Sequence, residues 1–393
     1  MPKFFESLPD TPAHTTSMPT CGSCGLYKGC RSPKMQVTGE GRRRVLIVAE
    51  APGQDEDRQG IQLIGMAGQA LRKHLRKIGV DLDRDCWKTN AVICHPGSMK
   101  NPTDKQVLSC RPNLLKVIRE LEPDVILLLG GASVKSLIGY AWREDVGQIE
   151  RWTGWQIPSQ LLNVWLCPTW HPSYLMRQGD PVLDLWFVRH LKVAFELEGK
   201  PWPDEKTDWT KQITVEYAPR QAAVGIRKLI EAGKPMAIDY ETDRLKPDAD
   251  DSRIVCCAVS DGKTTISFPW QGDAVTAVGE LLQSEVGKLA HNIKFEERWS
   301  QHEFGRGVRN WEWCSMTAAH VLDNRRGITG LKFQSFVNFG VGDYDREISP
   351  YLKGEGGNGK NRVTDAPLDR LLLYCGMDAL LGFKLAEKQR EVI

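Results

Sequence analysis

The first half of the chain alternates short apolar runs with segments of helical periodicity. The apolar runs predict strands at residues 45–49, 89–94, 124–129 and 164–168, and the periodicity predicts helices at 67–78 and 107–121. Strands that alternate with helices form mostly parallel, layered sheets, with the ligand site at the carboxyl ends of the strands. The first half is therefore predicted to be a three-layer α/β domain with its site at that edge.

The second half has a different order of elements. A polar, proline-marked segment at 198–211 is predicted to be a linker between domains 18–197 and 212–393. A helix is predicted at 221–232 and strands at 235–240, 254–260 and 264–268, and the remainder is predicted to be helical apart from a glycine-rich loop at 354–359.

Composition narrows the class of protein. The net charge is only +2, so a DNA-binding surface must be local, and Arg72 and Lys73 on one amphipathic segment are candidates for it. No apolar run suits a membrane span or a secretory signal, so we expect a cytoplasmic protein without membrane contact. Eleven cysteines, an odd count without such a signal, favour metal or cluster ligation over disulfides.

Four of these cysteines have a suggestive spacing. Cys21 and Cys24 form a C-x-x-C pair, and Cys94 and Cys110 lie far along the chain around a loop and the start of a helix. Four thiolates from two segments suit a tetrahedral zinc ion or a [4Fe–4S] cluster. A pair of core residues and a redox dithiol are the alternatives, and the nearby Cys30 could enter the set.

Three segments of the first half together resemble the motifs of family 4 uracil-DNA glycosylases. They are residues 50–57 (EAPGQDED) with Gly60 and 65–68 (GMAG), Asn90 with 94–96 (CHP), and 168–177 (PTWHPSYLMR). The resemblance implies a [4Fe–4S] cluster on Cys21, Cys24, Cys94 and Cys110.

The resemblance also implies roles in excision of a base flipped out of DNA. Asn90 would separate uracil from cytosine, and His171 would donate to the uracil O2 as negative charge develops. Glu50 would position water, and Glu56 would lie near the C5 edge of the base.

This chain departs from the glycosylase pattern in its base-stacking segment. The family usually reads Pro-Phe-Val-Gly after the glycine at position 60, and the phenylalanine stacks on the base. Here the segment is Gln62-Leu63-Ile64-Gly65. A lost aromatic stack is worth about 1–3 kcal/mol. In addition, His95 replaces an arginine and Ala49 a glycine. These changes permit another pyrimidine as substrate, or a role limited to binding.

Asp239 and Glu241 end a predicted strand, and strand alternation places both carboxylates on one face. Such a pair suits two divalent metals that clamp a phosphate, although a solvated strand edge has the same pattern. With residues 290–296 and 374–378 (YCGMD), they resemble the three exonuclease motifs of the DnaQ-like superfamily, in the form attached to family A DNA polymerases. The resemblance implies an RNase H-like fold.

By that resemblance Asp239, Glu241 and Asp378 hold two Mg²⁺ or Mn²⁺ ions, and Tyr374 orients the attacking water. The second motif normally presents aspartate where this chain has Glu296. The extra methylene shifts the carboxylate by about a bond length, which can cost roughly 10²-fold in rate.

The two resemblances together imply a bifunctional DNA enzyme, phage-like, that acts on a flipped base and on a single-stranded or frayed 3′ end. Because a family A polymerase would continue beyond the third motif, we expect a polymerase on a separate chain, in the host cytoplasm if the chain is phage-encoded. Two alternatives stay open. The first domain would be a non-catalytic DNA-reading iron–sulfur module tethered to a proofreading exonuclease, or the chain would be a zinc scaffold with an inactive nuclease fold.

Overall fold

The computed structural model describes residues 21–97, 101–142, 145–202 and 207–393. These residues form two compact units. One comprises the described residues up to 202 with 337–340, and the other comprises 207–336 and 341–393. The second unit thus begins within the segment predicted as a linker, while the domain limits 18–197 and 212–393 stay a prediction. Residues 18–20 of the predicted first domain and 203–206 of the predicted linker lie outside the described residues.

The first unit is built on a sheet that is parallel except at one edge. Its strands are β1 (Val45–Ala49), β2 (Cys86–Asn90), β3 (Val125–Leu129), β4 (Ile157–Ser159) and β5 (Val164–Thr169), in the order β2-β1-β3-β5-β4 with β4 antiparallel. Its helices are α1 (Gln54–Gln59), α2 (Met66–Arg76), α3 (Leu82–Asp85), α4 (Asp104–Leu121), α5 (Gly131–Ala141), α6 (Pro172–Gln178) and α7 (Pro181–Glu196).

Both faces of this sheet are buried. Ile47 and Leu127 pack with α2 and α7 in one hydrophobic core, whereas Leu46 and Ile126, one residue out of phase, are fully buried on the opposite face. Alternate side chains of a strand point to opposite faces, so apolar residues at every position require helices on both. The observed architecture confirms the predicted three-layer α/β class.

The second unit has a mixed sheet. Its strands are β6 (Ile213–Val215), β7 (Met236–Thr242), β8 (Ile254–Ser260), β9 (Thr265–Pro269), β10 (Lys288–Ala290) and β11 (Trp311–Cys314), in the order β11-β10-β7-β8-β9-β6. β7, β8 and β9 form an antiparallel meander, and the other pairings are parallel. Its helices are α8 (Pro219–Glu231), α9 (Asp273–Gln283), α10 (Ile293–Phe304), α11 (Ser315–Leu322), α12 (Leu331–Phe339, of which 337–339 are assigned to the first unit) and α13 (Leu368–Arg390).

Helices cover both faces of this sheet as well. The side chains of Ile238, Tyr240 and Val259 pack with α8 and α9 in a core that also contains Trp299 of α10. The long helix α13 lies across the other face, against β6 to β10. β7 therefore turns Tyr240 toward one helical layer and its neighbours Asp239 and Glu241 toward α13.

Three predictions of local structure were wrong. The strand predicted at 89–94 is β2 and ends at Asn90, because the apolar residues after it pack around Cys110 instead of extending the sheet. The short edge strand β6 lies between the predicted linker and the helix predicted at 221–232, where no strand was predicted. β10 and β11 interrupt the part of the second half that was predicted to be helical. No helix among the described residues is long and apolar enough to cross a membrane.

Candidate functional sites

The first candidate site lies where the parallel strands of the first unit end. Glu50 follows β1, Asn90 is the last residue of β2, Gly130 follows β3 and His171 follows β5 by two residues. The register pairs Ala49 with Asn90, so Glu50, the residue after Ala49, lies beside Asn90 at the sheet edge. The structure thus brings together three residues that sequence reasoning proposed for glycosidic chemistry, at the edge where parallel sheets bind ligands.

His171 caps the N-terminus of α6, and this fixes its tautomer. Its Nδ1 accepts the backbone N–H of Ser173 at 3.2 Å and lies 2.6 Å from the Ser173 hydroxyl, which can donate to it as well. In the neutral ring the proton must therefore sit on Nε2. Burial lowers the pKa of His171 and Arg177 lowers it further, against the opposing charges of Glu50 and Glu56. At neutral pH His171 is a neutral imidazole that offers an Nε2–H donor.

Glu50 depends on the glycine that ends β3. The backbone N–H of Ala132 donates to Glu50 Oε1 at 3.3 Å. A Cβ at position 130 would lie 2.6 Å from the same oxygen, and Gly130 has φ +90°. Only glycine fits this close approach. The Gly130-Gly131 pair, which sequence reasoning used only to end a strand, therefore makes room for the carboxylate.

The side-chain amide of Asn90 is held by Gln62, a residue that sequence reasoning did not single out. Asn90 Nδ2 donates to Gln62 Oε1, and Gln62 Nε2 donates to the backbone carbonyl of Gln36 at 3.2 Å. Both amides are buried, with 2% of Asn90 and none of Gln62 exposed. The other atom of the Asn90 amide, Oδ1, is buried with no hydrogen-bond partner in the described part of the chain.

Glu56 is engaged by the backbone of its own loop. As the third residue of α1 it accepts the N–H of the N-cap residue Gly53 at 3.1 Å. Its other oxygen accepts the N–H groups of Ile64 and Gly65 at 3.0 and 2.8 Å. The carboxylate therefore ties residues 60–65 to α1. Its predicted position at the C5 edge of a base stays a prediction.

Leu63 adopts a conformation that leucine rarely takes. Its φ is +54°, in the left-handed region, and its side chain is only 4% exposed within the core of the first unit. The backbone carbonyl is held by Arg72 at 2.5 Å, and a Cβ on Gly68 would lie 1.9 Å from that oxygen. Arg72 also forms a bidentate salt bridge with Asp83. Its guanidinium group therefore holds this loop in place and is not available as the phosphate contact for which it was a candidate.

The four cysteines predicted as cluster ligands line one small cavity together with Tyr27 and Asn113. They are Cys21, Cys24, Cys94 and Cys110. The sulfur of Cys94 accepts the N–H of Lys34 at 3.3 Å, and that of Cys110 accepts the N–H of Ile93 at 3.4 Å. Backbone N–H groups aimed at sulfur stabilise thiolates. Without a bound metal, burial and the neighbouring sulfurs raise the pKa of Cys94 to about 11.

Four cysteines suit either a tetrahedral zinc ion or a [4Fe–4S] cluster, in which each sulfur binds a different iron. The cluster stays a prediction. Cys30 instead donates to the carbonyl of Leu26 at 3.2 Å.

The second candidate site lies between β7 and α13. Oxygen atoms of Asp239 and Glu241 and the sulfur of Cys375 lie within 4.8 Å of one another. Asp378, one turn along α13 from Tyr374, accepts hydrogen bonds from the hydroxyls of Tyr344 and Tyr374. Of these residues, sequence reasoning missed Tyr344 and Cys375; only the position of Cys375 inside the third motif could have indicated it.

The carboxyl groups of this site hold their protons more tightly than usual. Burial raises the pKa of Asp239 and of Glu241 well above its ordinary value, and each is raised further by the other acids of the site. Burial also raises the pKa of Asp378 to about 6, against Lys332, which lowers it. Lys332 is held by Asp345 at 2.6 Å. A site that concentrates this much buried negative charge is suited to cations.

Glu296 lies beside these acids without joining their ligand group. It is in the first turn of α10, 3% exposed, and its Oε2 has no partner among the described residues. Burial and Asp239 raise its pKa well above the ordinary value. The orphaned oxygen fits a metal ligand. That role stays a prediction, as do the metal-binding roles of Asp239, Glu241 and Asp378.

The two units match two different families of known proteins. The family model of the uracil DNA glycosylase superfamily matches residues 37–192. The type-4 uracil-DNA glycosylase of Pyrobaculum aerophilum is 35% identical over 179 residues, 44% of this chain and 88% of the relative. That of Archaeoglobus fulgidus is 33% identical over 208 residues, 51% of this chain and 97% of the relative. The chain belongs to the type-4 uracil-DNA glycosylase family.

The rest of the chain matches a second family. The model for the 3′-5′ exonuclease domain of family A DNA polymerases matches residues 218–393. The DNA polymerase of Bacillus phage SP01 is 25% identical over 393 residues, which cover 91% of this chain and 41% of the polymerase. These matches confirm both resemblances and the pairing of a glycosylase-like with an RNase H-like exonuclease domain. The chain spans about two fifths of that polymerase.

Proposed function

We propose that the first unit excises uracil from DNA and that the second removes nucleotides from a 3′ end by a two-metal mechanism. The observation that carries the first activity is the meeting of Glu50, Asn90 and His171 at the carboxyl ends of β1, β2 and β5, three parallel strands of one sheet. The observation that supports the second is the convergence of Asp239, Glu241 and Asp378 on one face of β7 and α13.

Excision requires that the bond between C1′ and N1 break with its electron pair passing into the base. His171 Nε2–H would donate to the uracil O2, where the negative charge collects, and a donor so preorganised costs no reorganisation during the reaction. Glu50 would orient the water that adds to C1′ and stabilise the positive charge on the sugar. The departing N1 then takes up a proton, and the water loses one.

The cysteine set would hold a [4Fe–4S] cluster, and the cluster would supply structural support to the loop 21–30 and to the start of α4. Asp57 adds a protein link just after this loop, because its carboxylate accepts the N–H groups of Arg31 and Ser32 at 3.1 and 3.0 Å. Two adjacent residues of α1 therefore connect the segment after the cysteine loop, through Asp57, and the base-binding loop, through Glu56.

In the second unit, Asp239, Glu241, Asp378 and Glu296 would hold divalent metals, which activate water and stabilise the leaving 3′ oxygen. The protein's own part is positional. Tyr344 and Tyr374 hold the Asp378 carboxylate, and Lys332 supplies a positive charge beside it. Tyr374, which donates a hydrogen bond to Asp378, would orient the water.

One observation favours a second candidate for the first unit, a non-catalytic DNA-reading module. Leu63 is packed in the core in a left-handed conformation, so it does not present the aromatic platform of the family pattern. In either case we propose that the chain acts in the cytoplasm together with a DNA polymerase activity, since the phage protein that is similar over 91% of this chain is named as a DNA polymerase.

Both activities are tested in one reaction, in which base loss and 3′ shortening are measured separately. A single-stranded oligonucleotide with one internal uracil and a 5′ label is incubated with Mg²⁺ or Mn²⁺, and base loss is read by alkaline cleavage and 3′ shortening by gel. We expect both products. Asp239→Asn should abolish only shortening, and His171→Ala, which leaves no side-chain donor, should slow only base loss. Full-rate base loss by His171→Ala would contradict the glycosylase mechanism, and metal-independent shortening would contradict the exonuclease mechanism.

A further inference from the structure

The hydrogen bonds around Asn90 form a chain whose direction is set at its far end. A backbone carbonyl can only accept, so the atom of Gln62 that contacts the Gln36 carbonyl must be the amide nitrogen. The Gln62 oxygen is then the atom that meets Asn90, and it must receive the Asn90 nitrogen. One backbone group thus orients two side-chain amides that are otherwise free to flip.

Because the Asn90 nitrogen bonds Gln62, the Asn90 Oδ1 is the amide atom that remains free to face a ligand. It is buried and has no partner among the described residues, at a strand end shared with Glu50 and close to the proposed site. An unpartnered buried acceptor is costly, and a bound N–H donor would remove that cost. A base that presents an acceptor at the same place would instead set two lone pairs against each other.

We propose that Gln62 determines base specificity by fixing the Asn90 amide with its oxygen toward the base. The site then selects a pyrimidine whose N3 carries hydrogen, as in uracil, and rejects one whose N3 is an acceptor, as in cytosine. Gln62 is a positioning residue, since it acts through Asn90. The family pattern has proline at this position, which has no side-chain amide, so this device belongs to the present chain. The inference rests on the proposed function of the first unit.

The experiment separates binding from cleavage. Oligonucleotides carrying 2′-fluoro-deoxyuridine or 2′-fluoro-deoxycytidine, in which the electron-withdrawing fluorine slows cleavage, are titrated into the full chain, and the preference is the ratio of the two Kd values. Gln62→Met keeps the volume and removes both hydrogen bonds. We expect the uracil preference to fall about tenfold or more, because an Asn90 amide that can flip also accepts cytosine.

Two variants control for other causes. Gln36→Met removes a side chain whose one hydrogen bond among the described residues is to the Lys34 carbonyl, and it leaves the backbone acceptor in place, so the preference should not change. In Gln62→Glu the buried carboxyl group must stay protonated to donate to the Gln36 carbonyl; in that form it also accepts from Asn90 and should retain most of the preference. Folding is checked by thermal melting and by 3′ shortening in the same chain. If Gln62→Met does not fold, the smaller Gln62→Leu replaces it.

An unchanged preference in folded Gln62→Met would overturn the inference, as would a wild-type chain that binds both bases equally. A wild-type chain that binds uracil selectively but releases none would contradict the proposed excision and leave the role of Gln62 supported.

Discussion

Replacing a buried carboxyl group of the second unit is expected to stabilise the metal-free protein, whereas most mutations destabilise a protein. Burial raises the pKa of Asp378 to about 6 from an ordinary value of 3.8. A group whose pKa is higher in the folded state contributes stability that is complete below the unfolded pKa and is lost as pH rises through the folded pKa. Without metal, the ionised Asp378 therefore destabilises the folded unit at neutral pH.

The size of the effect follows from the shift. About two pKa units at 1.36 kcal/mol each give an upper figure of about 3 kcal/mol near pH 7.5. Asp378→Asn removes this cost and keeps an oxygen to accept the hydroxyl of Tyr344. For a unit of this size each kcal/mol shifts Tm by about 2–4 °C, so the metal-free variant should melt as much as about 6–12 °C higher.

The assay is thermal unfolding followed by circular dichroism at pH 5 and pH 7.5, with a chelator or with Mn²⁺. Wild type should gain stability from Mn²⁺, since a ligand at a hundredfold its Kd adds about 2.7 kcal/mol. Asp378→Asn should lose most of that gain. Asp369→Asn, on the same helix but exposed, should behave like wild type. A metal-free Asp378→Asn that melts lower than wild type at pH 7.5 would refute the reasoning.

Three further predictions test the other assignments. His171→Ala should slow uracil release by about 10²–10³-fold, the cost of one preorganised donor, with 3′ shortening unchanged in the same gel. Cys94→Ser should remove the broad visible absorbance of anaerobically purified protein, whereas Cys30→Ser should keep it; the reverse result would reassign the ligands. Cys375→Ser should weaken Cd²⁺ binding more than Mn²⁺ binding, since thiolates favour soft cations, measured by displacement of Mn²⁺ from its electron paramagnetic resonance signal.

The positions of the sites could be predicted from the sequence because each motif follows an apolar run. Buried strands are short, apolar and locally encoded, and the residue after such a strand lies at the sheet edge. This places Glu50 after β1, and the alternation in β7 places Asp239 and Glu241 together. The strand β2 was harder to predict, because buried Lys88 in its middle, paired with Asp83, reads as a surface residue.

The connections within the sites could not be predicted in the same way. Gln62 and Asn90 are 28 positions apart, and Tyr344 and Asp378 are 34 apart. Each pair depends on the tertiary fold. Nothing in the local sequence around a glutamine or a tyrosine indicates which side chain it will meet. Glu56 shows the opposite case, since its hydrogen bond with the N–H of Gly53 joins residues only three positions apart.

The two ligand-free sites differ in how they tolerate buried polar groups that have no partner. The first leaves a neutral acceptor, Asn90 Oδ1, unpartnered, so its cost is that of a single unmade hydrogen bond and the site can stay formed without a ligand. The second buries several acids together, and unpaired charge costs much more, so its empty form persists only by holding protons. Metal binding must displace those protons, and metal affinity should therefore rise with pH through about 6, the pKa of Asp378. Base recognition by Asn90 involves no proton exchange and should show no such dependence.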